Sequence, residues 1–224
     1  MESLVTLGSS STLGAGASRP DETGWVPLLL EHLRARLPIV ALHNLGKGGA
    51  VLADYLDAWP LVTECEPTLL VILPFTDYAT TPLVRFKEDC RRFLDAANTL
   101  AEAAQASRRR FQVFFGDLRI DPLYLEGTKP DGPRYRLKDY VLLLEKNAAL
   151  QELAQDAPFL SVVPVIDQNA IHPEWIHADG HPNDLGHAYL AGCFVRAMEL
   201  WLDGGSIDLE RAILDPRLVP AHEP

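Results

Sequence analysis

The sequence of 224 residues predicts an α/β protein, a three-layer α/β/α sandwich around a five-stranded parallel sheet. Two observations carry this prediction. Short apolar runs alternate with longer segments of helical periodicity along the chain, which is typical of a parallel sheet covered by helices. The run Thr68–Phe75, TLLVILPF, is continuously apolar, as expected of a strand buried on both faces. Neither an internal repeat nor a linker is visible, so we expect one domain over 1–224, with 203–224 as a C-terminal tail.

The first half of the chain predicts three strands and two helices. The short apolar run Leu4–Gly8 predicts the first strand, and Gly24–Leu37 has the apolar spacing of an amphipathic helix. A second β-rich run, Ile39–Gly46, predicts the next strand. Helical spacing returns over Val51–Val62, and Thr68–Phe75 follows as the central strand.

The second half continues the alternation. A long amphipathic pattern over Val84–Ala106 predicts a helix, and the aromatic-rich run Arg110–Gly116 predicts the fourth strand. Leu137–Gln155 again has helical spacing, and Phe159–Asp167 is β-branched and apolar, as expected of a fifth strand. The chain then closes with a helix over Asp184–Leu202.

The serine- and glycine-rich stretch Val5–Ser18 follows the first strand directly. A flexible linker is excluded because the stretch lies between a strand and a helix. A phosphate-binding loop would need a different spacing from Gly8 to Gly14 and a lysine after it. A third interpretation is a serine nucleophile on a turn whose N–H groups stabilise an oxyanion. Taken alone, serines in such a loop more often satisfy turn backbone.

A second polar segment, 168–183, follows the last strand and contains Asp179 and His181. Open parallel sheets place their sites at the carboxyl ends of the strands, so both segments are expected at the same edge. A serine hydroxyl needs a base to take its proton, and that base needs an acceptor on its other nitrogen. The two segments together therefore indicate nucleophilic catalysis.

Three short blocks resemble those of the GDSL, or SGNH, hydrolase superfamily, and the resemblance spans nearly the whole chain. The blocks are Gly8-Ser9-Ser10-Ser11, the stretch from Asn44 to Gly49, and Asp179-Gly180-His181-Pro182. The resemblance implies a flavodoxin-like sheet and a serine-dependent carboxylic ester hydrolase that needs neither metal nor cofactor. It also implies Ser10 as nucleophile, His181 as base and Asp179 as the orienting acid. The N–H groups of Ser10 and Gly49 would form the oxyanion hole.

The chain departs from the family pattern at two places. The family's third block is Gly-x-Asn-Asp, whose Asn donates to the oxyanion, and here PFTDY places Thr76 and Asp77 at those two positions. Thr76 is therefore expected as a third donor of shorter reach. One residue rather than two separates Asp179 from His181. A backbone carbonyl or another carboxylate, such as Asp167, is the alternative partner for the histidine.

The expected function is hydrolysis of a small-molecule ester with a short acyl chain or an acetylated sugar, because no extended apolar lid is evident. Phe75, Tyr78 and Trp175 are candidate substrate-binding side chains, with packing in the core as the alternative. Two other functions stay open. The same triad could transfer the acyl group to an acceptor other than water, or the fold could serve as a catalytically silent binding module.

Composition limits the partners and the location. The chain has 20 Lys and Arg against 31 Asp and Glu, a net charge of −11, so nucleic-acid binding is not expected. The three cysteines are widely spaced and predict buried free thiols rather than a metal site or a disulfide framework. No membrane span or signal peptide is visible, which predicts a cytoplasmic protein, although a mature secreted form would look the same. The sequence does not fix the oligomeric state.

Overall fold

The computed structural model describes residues 2–119, 137–166, 173–177 and 179–204. Within them lies one sheet of five parallel strands in the order β2-β1-β3-β4-β5, which confirms the predicted fold class. The strands are β1 (Glu2–Gly8), β2 (Ile39–Asn44), β3 (Leu69–Leu73), β4 (Gln112–Arg119) and β5 (Leu160–Ile166). Asp167 and most of the predicted tail, 205–224, lie outside the described residues.

Seven helices pack around the sheet in the described part of the chain. They are α1 (Trp25–Arg34), α2 (Leu52–Asp57), α3 (Trp59–Glu64), α4 (Phe75–Thr80), α5 (Leu83–Ala106), α6 (Leu137–Ala154) and α7 (Asp184–Leu202). Helices α1 and α7 pack together on one face, and α2, α5 and α6 cover the other. None of these helices is long and apolar enough to cross a membrane, among the residues described.

Strand β3 shows why the central run is apolar without interruption. All five of its residues are buried, and they alternate between two cores. Leu70 and Ile72 join the core beneath α5 and α6, whereas Leu69, Val71 and Leu73 join the core beneath α1 and α7. Each face of the strand is thus removed from water by a different helix layer, which gives the three-layer arrangement.

The structure corrects three of the expected boundaries. The segment Val51–Val62 forms two helices, α2 and α3, because Pro60 lacks the N–H that a continuous helix would need, yet it fits the first turn of α3. Phe75 begins helix α4 rather than ending β3. Strand β4 continues past Gly116 to Arg119, where it still pairs with β5.

The chain order creates a switch point at the carboxyl ends of β1 and β3. From β1 the chain passes to β2 on one side, and it then returns to β3 on the other side. Neighbouring loops diverge at such a point and leave a crevice above the sheet. The serine- and glycine-rich stretch leaves the sheet there, because Gly8 pairs with Leu73 at the last rung of the β1–β3 ladder.

The cysteines are free thiols, as expected. Cys90 and Cys193 are buried, and Cys65 is half-buried. Burial raises the pKa of all three thiols, which keeps them protonated and unreactive near neutral pH.

Candidate active site

The turn of the candidate nucleophile Ser10, called the nucleophile turn below, begins where β1 ends. Residues Ser10–Leu13 form a single turn of 3-10 helix, and Gly14, with φ +84°, closes it in the left-handed region. Gly8 has no room for a side chain, because a Cβ there would overlap the hydroxyl of Thr12. Ser10 is the first residue of the turn, so the turn itself does not use its N–H group.

Ser10, His181 and Asp179 form a chain of hydrogen bonds. The Oγ of Ser10 lies 2.9 Å from Nε2 of His181, and Nδ1 of His181 lies 3.1 Å from Oδ2 of Asp179. The backbone N–H of His181 also donates to Oδ1 of Asp179, at 3.1 Å. These bonds to His181 lower the pKa of Asp179. With a separation of one residue, a single carboxylate contacts both the ring and the backbone of His181.

A tight hairpin carries Asp179 and His181. Ile176 and Pro182 form an antiparallel bridge, and the N–H of His177 donates to the carbonyl of His181 at 2.8 Å. At the tip, Gly180 has φ +87°, which favours glycine, and its N–H donates to the carbonyl of His177 at 2.9 Å. The hairpin fixes the backbone of His181 next to Ser10.

The start of helix α7 ties this hairpin to the nucleophile loop, residues 14–23, which follows the nucleophile turn. Asn183 caps the helix by accepting N–H bonds from its first turn, and its amide donates to the carbonyl of Glu174 at 2.7 Å. Asp184 accepts from the N–H and the hydroxyl of Ser18 and from the hydroxyl of Thr23. These three bonds lower the pKa of Asp184. Sequence reasoning missed this role, because an acidic residue in a first helical turn is common in helices generally.

Buried His187 supports the same loop from beneath. Its Nδ1 accepts the N–H of Trp25 at 3.2 Å, so the ring proton is on Nε2, which donates to the carbonyl of Ala15 at 3.0 Å. Burial lowers the pKa of His187, in keeping with a neutral ring. On the exposed side, Nε2 of His177 lies 2.9 Å from the carbonyl of Gly16. Two histidines thus hold successive carbonyls of the nucleophile loop.

The loop after β2, which contains Gly49, lies alongside the nucleophile turn. The N–H of Lys47 donates to the carbonyl of Gly8 at 2.9 Å, and the amide of Asn44 donates to the carbonyl of Thr12 at 2.7 Å. Gly49 is exposed and has φ +68°. Its N–H has no acceptor within the part of the chain that the structure describes, so this donor is available to a ligand.

Thr76 lies on the opposite side of the nucleophile turn. It is the second residue of α4, which begins two residues after Leu73, the neighbour of Gly8 in the sheet. The side chain of Thr76 is half-buried, and its carbonyl accepts the hydroxyl of Thr80 at 2.8 Å. Gly49 and Thr76 therefore follow the two strands that flank β1.

The three aromatic candidates differ in their surroundings. Tyr78 is 6% exposed and packs against Phe86 with ring centroids 5.3 Å apart, and Trp175 is 5% exposed and packs 5.7 Å from Tyr189. Burial favours packing in the core, the alternative given above, for Tyr78 and Trp175. Phe75 is half-buried and packs against both cores, so part of its ring stays open to solvent.

A cavity of about 340 Å³ lies behind the hairpin. It is lined by Gly16, Ser18, His177, Asn183, Asp184 and Leu185, and Ser10 does not contribute to it. The side chains of Asn183 and Asp184, which line it, are already hydrogen-bonded to the protein. Over the described residues, no group of His, Cys, Asp and Glu side chains could hold a metal ion.

The fold and the site together define a parallel α/β protein with a serine–histidine–aspartate constellation at its switch point. Neither a family model nor a curated relative matches the sequence. Solved structures do match it. The esterase EstA from Pseudoalteromonas sp., in a structure inhibited by monoethylphosphonate, is 18% identical with a TM-score of 0.62, covering 91% of this chain and 100% of its own.

Two further structures extend the comparison. A member of the lipolytic G-D-S-L family from Veillonella parvula DSM 2008 is 16% identical with a TM-score of 0.57, over 90% of this chain and 99% of its own. The acetyl xylan esterase AlAXEase is 16% identical with a TM-score of 0.58, over 87% of this chain and 98% of its own. The protein therefore has the fold of the GDSL, or SGNH, hydrolases, which agrees with the resemblance found in the sequence.

Proposed function

We propose that the protein hydrolyses carboxylic esters through an acyl-enzyme on Ser10. The observation that carries the proposal is the 2.9 Å contact between Oγ of Ser10 and Nε2 of His181, continued at 3.1 Å to Asp179. A hydroxyl becomes a competent nucleophile when a positioned base takes its proton, and the base is held in the right orientation by an acceptor on its other nitrogen.

In the first half-reaction, Oγ of Ser10 attacks the acyl carbon while Nε2 of His181 takes the serine proton. Asp179 accepts the Nδ1–H bond and stabilises the imidazolium that forms. The tetrahedral intermediate then collapses, the bond to the alcohol oxygen breaks, and His181 gives its proton to the departing alcohol. Ser10 is left as an ester of the acyl group.

In the second half-reaction, water attacks the acyl-enzyme. His181 takes a proton from the water, and a second tetrahedral intermediate forms on the same carbon. When that intermediate collapses, the bond to Oγ of Ser10 breaks, the proton returns from His181 to Ser10, and the carboxylic acid leaves. No redox step or cofactor enters this cycle.

The negative oxygen of both intermediates would be bound by three donors. The N–H of Ser10 and the N–H of Gly49 are the main ones, and the hydroxyl of Thr76 is the third. Donors that are fixed before the reaction are the most effective, because they need no reorganisation as charge develops. The N–H of Ser10 at the start of its turn and the available N–H of Gly49 support this assignment.

For the substrate, we propose a short acyl chain, with acetylated sugars as the leading class. One of the solved structures with this fold is an acetyl xylan esterase. The acid and the base are also open to solvent here, with the side chain of Asp179 67% exposed and that of His181 32% exposed. An open site suits a bulky, hydrated alcohol portion better than a long lipid.

The test uses p-nitrophenyl esters of increasing chain length and acetylated xylo-oligosaccharides. Wild type should hydrolyse the acetyl ester best, and Ser10→Ala should lose at least about a thousandfold in kcat/KM, because the covalent route is gone. Ser9→Ala and Ser11→Ala are matched controls, since both side chains are buried, at 5% and 7% exposure. Loss of activity in either of these, with Ser10→Ala active, would contradict the assignment.

Covalent trapping separates the alternatives. A phosphonate ester should add to Ser10 and to no other serine, as read by mass spectrometry of the intact chain and of its peptides. A chain that neither reacts with the phosphonate nor hydrolyses any ester would be a binding module. Product analysis with added alcohol or sugar distinguishes hydrolysis from acyl transfer.

A further inference from the structure

Asp77, the residue after Thr76, is fully buried and spans two segments of the site. Its Oδ2 accepts the N–H of Leu52 at 2.9 Å, and its Oδ1 accepts the hydroxyl of Thr81 at 3.0 Å. Leu52 is the first residue of α2, whereas Asp77 and Thr76 belong to α4. A buried carboxylate with two donors is held in one orientation, so the spacing between the two helices is fixed.

This bond crosses the site because of the strand order. The loop that carries Gly49 follows β2, α4 follows β3, and β1 lies between the two strands. Ser10 sits at the carboxyl end of β1. A contact between the start of α2 and α4 therefore joins the two segments that flank the nucleophile turn.

Hydrogen bonds tie the loop of Gly49 to the start of α2. Oδ2 of Asp54, in the first turn of α2, accepts the N–H of Val51 at 3.0 Å. Nζ of Lys47 lies 2.8 Å from Oδ1 of the same carboxylate, and the N–H of Ala50 donates to the carbonyl of Lys47 at 3.0 Å. Gly49 lies within these bonds, so its placement follows that of Leu52.

Helix α4 is fixed from its other side. Lys146 of α6 is fully buried, and its Nζ donates to the carbonyls of Asp77 and Tyr78, at 2.8 and 3.0 Å. Burying a lysine is costly unless its protons are well placed. Here they hold a helix of only six residues. With α4 fixed to α6, the carboxylate of Asp77 can set the position of α2 relative to Ser10.

We propose that Asp77 is a positioning residue, which holds the oxyanion donors Gly49 and Thr76 at a fixed separation across the nucleophile turn. This inference rests on the proposed ester hydrolysis. An oxyanion exists only in the transition state and the intermediates, so misplaced donors lower kcat and leave substrate binding almost unchanged.

The test compares Asp77→Ala with Asp77→Asn. The Ala variant loses the acceptor for Leu52, and kcat should fall by about 10- to 100-fold with KM within about twofold, since small displacements at a reacting centre cost on that order. The Asn variant keeps a carbonyl oxygen for Leu52 and can place its amide against the hydroxyl of Thr81. Its kcat should stay within about threefold of wild type.

Asp89→Ala is the matched control for loss of a buried acid. Asp89 is 1% exposed and lies on α5, where it pairs with Arg85 at 2.8 Å and Arg92 at 3.3 Å. The kcat of folded Asp89→Ala should stay within about twofold of the wild-type value, whatever the substitution does to stability. The proposal is overturned if folded Asp77→Ala has wild-type kcat, if Asp77→Asn falls as far as Asp77→Ala, or if Asp89→Ala loses as much kcat.

If Asp77→Ala does not fold, Thr81→Val tests the positioning role of Asp77 instead. It removes one of the two hydrogen bonds to the carboxylate, keeps the branched shape, and should lower kcat about three- to tenfold. Wild-type kcat in that variant would overturn the proposal. A wild-type chain without any Ser10-dependent hydrolysis gives a different result, because it refutes the proposed function itself.

Discussion

Asp77→Asn should change how the free energy of unfolding depends on pH. Burial raises the pKa of Asp77 from 3.8 to about 6, and the nearby charge of Asp89 adds to this rise. Three groups act in the opposite direction: the hydroxyl of Thr81, the N–H of Leu52 and the ammonium of Lys146. Burial outweighs them, so the ionised carboxylate is less favourable in the folded protein than in the unfolded chain.

The direction in which the free energy of unfolding changes with pH follows from the folded and unfolded pKa values of Asp77. The folded state holds the proton more tightly, so the contribution of Asp77 to stability is fully present below pH 3.8 and is lost as pH rises through about 6. A pKa difference of roughly two units corresponds to about 3 kcal/mol. Asparagine carries no titrating proton. The free energy of unfolding of Asp77→Asn minus that of wild type should therefore rise by about 3 kcal/mol from acidic to neutral pH.

The assay is urea unfolding followed by circular dichroism, on both proteins, from about pH 4 to about pH 8. Taking the difference between the two proteins cancels the titration of groups that do not interact with Asp77. Asp54→Asn is an internal control of opposite sign, because bonds from Lys47 and the N–H of Val51 lower the pKa of Asp54. In this control the ionised carboxylate of Asp54 stabilises the folded wild type, and that contribution to the free energy of unfolding is lost as pH falls. A difference for Asp77→Asn that stays constant across the range would refute the reasoning.

Three further predictions concern the catalytic turn and its partners. Thr76→Val should cost less than about tenfold in kcat, because a hydroxyl reaches less far than an amide; a loss above a hundredfold at unchanged KM would make Thr76 a full oxyanion donor. Asp179→Ala should lose less kcat/KM than His181→Ala, since the Asp179 carboxylate is exposed and water can replace it; equal losses would contradict this. Gly8→Ala should lower the free energy of unfolding by about 1–3 kcal/mol, because the new Cβ overlaps the Thr12 hydroxyl. Adding Thr12→Ala should restore part of the lost free energy, as measured by urea unfolding of the double variant.

The strands were predictable because burial on both faces leaves a strong pattern. β3 is the plainest case, since all five residues are apolar and all five are buried. The short helix α4 was not predictable in the same way. It has only six residues and begins at Phe75 directly after Pro74, so its sequence, FTDYAT, has too few turns for a helical period to appear.

The three residues of the constellation could be named from local blocks, because each block sits next to an element that places it at one edge of the sheet. The residues that support the constellation could not be named from the sequence. Asp77 and Lys146 are charged residues, and exposure to solvent is the ordinary expectation for such side chains. Their burial depends on how α4 and α6 meet, a contact between residues 69 positions apart. Such contacts follow from tertiary packing and leave no periodic trace in the sequence.

The contact between Ser10 and His181 also bears on how the protein is made. These residues are 171 positions apart, and they meet only when α7 has docked against α1 at the opposite end of the chain. Under the proposed mechanism, a nascent chain leaving the ribosome therefore has its nucleophile, Ser10, long before it has its base, His181. Under the proposed mechanism, recovery of activity during refolding would report the docking of the last helix. Under the proposed mechanism, the chain can cleave no ester until His181 has been synthesised.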